Sequence, residues 1–139
     1  RGAITSTYGI VPDIGIAIDV GFGDQPGLQE FQTIKLGGGP GIALGPHVHP
    51  ALHKRMVEAA KEWRIPYSLD PSPYPGGTDA YAIQVTQAGI PTILLSIPLR
   101  YMHTPIETLD YEDVKQTGRL MAMFIAGLDN EFVEGLKCF

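Results

Sequence analysis

Cysteine is almost missing: Cys138, next to last in a 139-residue chain, is the only one. No disulfide framework and no thiolate cage for structural zinc can be built from it, so a reducing, cytoplasmic setting is expected. Positive charge is also scarce. Ten Lys and Arg stand against fifteen Asp and Glu, a formal charge of −5. They form no stripe of the kind that phosphate neutralisation needs, so no nucleic acid is expected as a partner. Long apolar runs are missing as well. The longest, from Ile90 to Leu99, is broken by Pro91 and Pro98 and is far short of the ~20 residues that cross a bilayer, so no membrane partner is expected. No charged leader followed by an apolar stretch opens the chain, and no internal repeat runs through it. With 44% hydrophobic and 18% charged residues, one core is expected and a second domain is not.

The chain alternates helical and extended patterns, which points to a layered α/β arrangement. A short first helix is expected to stop at Gly9, before Pro12. In the stretch from Asp13 to Val20, Ile14, Ile16, Ile18 and Val20 alternate onto one face, while Gly15, Ala17 and Asp19 share the other. Leu28 to Leu36 and Gly41 to Leu44 read as a hairpin-like pair around a glycine-rich turn. Pro50 opens a helix through Trp63 with an apolar stripe of Leu52, Met56, Val57, Ala60 and Trp63. A short strand near Tyr67 to Leu69 leads into a stiff proline-rich loop that delivers Thr78 and Asp79 to a helix ending before Gly89. Pro91 to Leu99 reads as a strand covered on both faces. Asp110 caps the last helix, with Val114, Thr117, Met121, Phe124, Ile125 and Leu128 inward.

Two side chains carry the chemistry. Asp19 ends the small-residue face of the first strand, and His103 follows the doubly buried one. Ligands in open α/β sheets sit beyond the carboxyl ends of strands, so both belong to one rim. Each alone reads as an ordinary strand-end carboxylate or loop histidine; their convergence makes the case for a metal. Other motifs read more plainly. Gly37 to Gly41 mimics a phosphate cradle, but no Gly-Lys-Ser/Thr follows, so a turn is expected. His47 and His49 would share one face of an extended segment, yet no carboxylate lies near in sequence, and surface or interface positions are expected. Between His103 and Glu107, Pro105 spoils a shared helix face. Thr78 and Asp79 sit where a helix amino end welcomes an anion, although a plain cap explains Thr78 equally well.

Taken in order, Ile18-Asp-Val20, Gly23-Asp-Gln-Pro-Gly27, Leu36-Gly-Gly-Gly-Pro40, His49-Pro50, Gly76-Gly-Thr-Asp-Ala80 and Pro98-Leu-Arg-Tyr-Met-His103 resemble a known pattern. It is that of the C-terminal half of the tetrahedral, glutamyl or deblocking aminopeptidase family, dinuclear metallopeptidases also labelled cellulase M or endoglucanase. The likeness runs from Arg1 to about Leu128. It implies the C-terminal portion of a zinc-peptidase-like three-layer α/β/α sandwich, with residues 1–139 forming part of the catalytic domain. It also implies two divalent ions, zinc or cobalt, with a bridging hydroxide that removes N-terminal residues from peptides. Asp19 would be the carboxylate ligand of one ion and His103 the imidazole ligand of the other. Arg100 and Tyr101 would line the pocket, with Thr78 and Asp79 helping to shape the substrate site.

In the same resemblance the remaining ligands, the general-base glutamate and a dimerising insert belong to a half that precedes Arg1, two adjacent glutamates lying just before it. The implied partners are a peptide substrate, that N-terminal half and further copies of the enzyme in a homo-oligomer. One protein ligand per ion cannot replace the hydration of a divalent cation, so the segment alone is expected to lack a tight site and turnover. Two other classes stay open. One is a related dinuclear carboxypeptidase or deacylase; the other is an assembly module or a glycan-acting protein, the latter without the paired carboxylates that glycosidases need.

Overall fold

Alternating isoleucine and small residues produce the first strand, β1 (Gly15–Phe22), which runs two residues past the pattern that marks it in sequence. The chain, seen in a computed structural model, is described at residues 1–74 and 76–136. Pro75 of the proline-rich loop and Cys138 lie outside the described residues. β1 pairs in parallel with β4 (Thr92–Leu99), with Asp19 opposite Ser96 and Phe22 opposite Leu99. β2 (Gly41–Leu44) runs antiparallel to β4, and β3 (Ser68–Pro71) lies parallel to β2. The sheet order is β1-β4-β2-β3.

This register sorts the side chains into two faces. Ile16, Ile18, Ile93, Leu95, Ile42 and Leu69 share one, which α2 (Pro50–Glu62) and α4 (Tyr111–Ala126) cover. Gly15, Ala17, Asp19, Thr92, Ser96, Gly41 and Asp70 share the other, where α3 (Asp79–Gln84) packs, with α1 (Gly2–Ile10) beside it. Gly15 permits that approach, because a Cβ there would stand 2.4 Å from Ile83 Cγ2. The result is the expected three-layer α/β arrangement. Helices on both sides explain why Thr92 to Ser96 are all buried. Ile42, Leu52, Met56, Ile93, Leu95, Leu120 and Phe124 are fully buried, each stabilising the fold by about 1.5–3 kcal/mol.

Several expectations fail for local reasons. Residues 28–36 are not a strand. Glu30–Gln32 forms a 3₁₀ turn in which the side chain of Gln29 accepts the Gln32 amide and that of Gln32 accepts the Gln29 amide. Those side-chain bonds compete with a ladder, leaving only a Gly23–Ile34 bridge. β2 therefore pairs with β4. Trp63 is the carboxyl cap of α2 and is exposed, because Ile65 turns back into the core in its place. In α4, Leu120 faces inward and Ile125 faces water. A short α5 (Asn130–Glu134), capped by Asp129, follows.

The glycine-rich turn holds an anion of its own. Asp113, in the first turn of α4 and buried, accepts the amides of Gly37 and Gly39 at 2.8 Å each. Gly39 has φ 80°, and a Cβ there would lie 2.0 Å from the carbonyl oxygen of Pro66. The turn thus locks β2 to α4. Asp113→Ala leaves a buried amide unsatisfied and is expected to lower stability by about 2–3 kcal/mol. Equilibrium denaturation measures this, and an unmoved midpoint would show that water satisfies the turn.

Candidate metal and substrate site

Parallel pairing puts the carboxyl ends of β1 and β4 at one margin of the sheet, and His103 follows the β4 end by four residues. Asp19 lies inside β1 rather than at its tip, half-buried on the small-residue face. Its Oδ1 accepts the amide of Val20 at 2.8 Å, and Oδ2 has no hydrogen-bond partner among the described residues. His103 lies beyond β4 in an exposed loop, with φ 63°, and its ring makes no hydrogen bond among the described residues. The base of that loop is closed by two backbone hydrogen bonds between Arg100 and Thr108, at 2.9 and 3.1 Å.

The other expected residues have different surroundings. The Arg100 guanidinium is engaged by Asp24, whose carbonyl accepts from Nε and whose Oδ2 accepts from Nη2 at 2.8 Å. Its reach toward a substrate is correspondingly small. Tyr101 is exposed, with φ 57°. Thr78 and Asp79 begin α3, which leads through a short turn into the start of β4, so its amino end points toward the carboxyl margin. Thr78 Oγ1 is buried without a partner among the described residues and accepts no cap hydrogen bond.

A polar row that sequence reasoning missed lies beside Asp19. Ser96, its register partner, donates to Asp70 Oδ2 at 2.7 Å, reaching across Gly41. Its signal was a polar residue inside a doubly buried strand, which needs a partner. Asp70 also lines a groove of about 270 Å³ with Glu30, Phe31, Gln32 and Thr33. A larger cavity of about 660 Å³ opens at the opposite margin, around His49, Gln84 and Thr92, away from Asp19 and His103. His47 corrects the expectation of a surface position: it is 2% exposed, and its Nδ1 has no partner among the described residues. The turn at Gly45 tucks the ring inward, where a Gly45 Cβ would meet it at 3.3 Å. Burial lowers the His47 pKa, and the Asp70 charge partly offsets this. His49 is half-buried and caps α2 by accepting the Ala51 amide. Asp24 was missed too. The Leu36 amide, then Arg100, hold its carboxyl below the ordinary carboxylate range.

Zinc and cobalt accept carboxylate oxygen and imidazole nitrogen. The free Oδ2 of Asp19 and the unpaired ring of His103 fit that chemistry. The described residues contain no group of three or more His, Cys, Asp or Glu able to hold a metal, so these two donors fit as contributors to a larger shell.

Known proteins share this fold. The family described as M42 glutamyl aminopeptidase matches residues 1–120. A lysyl aminopeptidase from Pyrococcus furiosus is 42% identical over 120 residues, which are 86% of this chain and 35% of that protein. The solved structure of an aminopeptidase from the archaeon Desulfurococcus kamchatkensis superposes with a TM-score of 0.90 at 36% identity, over all of this chain and 41% of its own. The Pyrococcus horikoshii TET1 peptidase, which can assemble into a tetrahedron or a large octahedral shell, superposes with a TM-score of 0.70 at 26% identity, covering 91% of this chain and 37% of its own. The chain thus spans between a third and a half of the length of each.

The buried His47 gives this region a pH dependence. Its folded pKa lies below the ordinary 6.5, so the unfolded chain binds the proton more readily. The stability gained by keeping it neutral is present above pH 6.5 and is lost as pH falls below that value. Denaturant midpoints are expected to drop between pH 7.5 and 5.5, with His47→Gln flattening the profile. Equal slopes in the two proteins would contradict this.

Proposed function

Because this chain belongs to the M42 glutamyl aminopeptidase family, we propose that it is the C-terminal part of the catalytic domain of a metal-dependent aminopeptidase. The observation that supports this reading is that Asp19 Oδ2 on β1 and the His103 ring beyond the parallel strand β4 both lack a hydrogen-bond partner among the described residues. Two divalent ions, zinc or cobalt, would supply Lewis acidity and acidify a bound water toward a pKa of ~7.

The contributions of this chain follow from its geometry. Asp19 would give one carboxylate oxygen to one ion, and His103 one imidazole nitrogen to the other. Gly21 and Ser96 would keep the floor beside Asp19 narrow, since a Cβ at Gly21 would stand 3.0 Å from Ser96 Cβ. Arg100 would act by tying its loop to Asp24, with Tyr101 lining the approach and Thr78 and Asp79 shaping the substrate site at the start of α3. The peptide substrate would be held by its free amino group near the ions, while the general base would come from the other half of the enzyme.

Apolar surface supports that second half as a partner. Ile18 and Phe22 on the outer strand β1 are 44% and 50% exposed, an open edge of the kind that another segment covers. Assembly of whole enzymes into a homo-oligomer is proposed on the precedent of the TET1 peptidase.

Asp19→Asn and His103→Ala, made in the enzyme that contains this chain, are expected to lower kcat/KM on an aminoacyl p-nitroanilide by more than about a hundredfold. An N-acyl amino acid should not be cleaved; the reverse preference would move the enzyme to the deacylases. Calorimetric titration of residues 1–139 alone with zinc is expected to show no submicromolar binding, and two tight sites would overturn the split centre.

A further inference from the structure

The loop that carries His103 has an unusual backbone. Tyr101 and His103 both adopt the left-handed conformation, with φ of 57° and 63°. For residues with a Cβ this costs on the order of 1–3 kcal/mol each and persists only where the surroundings impose it. Here each of the two backbone N–H groups is held by a side-chain acceptor. Tyr101 N–H donates to Gln25 Oε1 and His103 N–H to Glu107 Oε1, both at 2.6 Å. Gln25 belongs to the extension of β1 past Gly23, and Glu107 to the returning arm of the loop itself. Asp24, next to Gln25, adds the grip on Arg100. That ion pair is partly solvated, with side chains 36% and 47% exposed, so it adds less than about 1 kcal/mol to stability. Its effect is on position.

We propose that Gln25 and Glu107 are positioning residues that hold the left-handed Tyr101–His103 segment, and through it fix where the His103 imidazole stands relative to the Asp19 strand. The proposal rests on the reading of His103 as a metal donor. The acceptor is what matters at position 107, and an amide carbonyl can replace the carboxylate there. The β1 extension acts on the other donor strand, because Gly23 also donates its amide to Leu99 at 2.8 Å. One stretch of chain, Gly23 to Gln25, thus sets the end of β4 and the first residues beyond it.

The test uses Gln25→Ala, Glu107→Ala and Glu107→Gln in the enzyme that contains this chain, read in two ways. Hydrogen exchange of the Tyr101 and His103 amides, without metal, reports the grip itself. Protection is expected in the parent, is lost at Tyr101 in Gln25→Ala and at His103 in Glu107→Ala, and survives in Glu107→Gln. Zinc titration then reports the consequence. One of the two ions should bind about ten- to a hundredfold more weakly in Glu107→Ala and Gln25→Ala, the second ion should be little changed, and Glu107→Gln should stay within about threefold of the parent. Unprotected amides in the parent, or weakening of both ions alike, would overturn the positioning role, as would lost protection with unchanged affinity. A parent that binds no zinc pair but shows the expected exchange pattern would leave the grip standing and remove the proposed function instead.

Discussion

The parallel register between β1 and β4 is the constraint on which the rest depends. Parallel strands leave the sheet in the same direction, so a carboxylate on one and an imidazole past the other lie toward a common margin. Slipping the register by one residue would move Asp19 to the face of Ile16 and Ile18 and break the apolar alternation of the strand. The small residues Gly15, Ala17 and Gly21 fix which face that is. They leave room for Ile83 and Ile34 against the strand, and larger residues would push those neighbours away.

Beyond the strand ends, the structure spends side-chain hydrogen bonds on backbone geometry. Asp113 fills the glycine turn, Gln29 and Gln32 close a 3₁₀ turn on each other, and Gln25, Asp24 and Glu107 hold the His103 loop. Apart from the buried Asp113, these residues contribute little burial, and several are exposed. Their effect is to select one conformation among the many that a loop of this length would sample. That selection would suit the proposed site, whose two donors would come from β1 and from the loop after β4.

Strand and helix periods were legible because burial writes them directly. The alternation of β1, the apolar run of β4 and the stripe of α2 apart from Trp63 read correctly, as did the Asp110 cap, while Asp19 proved to lie inside its strand. Long-range side-chain partners were not legible. Asp113 reads in sequence as a favourable charge in a first helical turn and serves the Gly37 and Gly39 amides, far off in the chain. Residues 28–36 carry enough apolar residues for a strand, yet their glutamines satisfy the backbone locally. His47, in the turn after β2, looked polar and external because its carboxylate neighbour, Asp70, lies far along the chain on β3. Asp19 and His103 are proposed from residue type and strand position. Gln25 could not be found that way, since an amide gripping a backbone N–H leaves no spacing rule behind.

The glycine turn carries a further consequence. A run of backbone amides pointing inward is ordinarily a receptor for phosphate, and here the receptor is occupied from within by the carboxylate of Asp113. Nucleotides and free phosphate meet a crevice that already has its counter-charge, so this part of the molecule is deaf to the commonest anionic signals of metabolism.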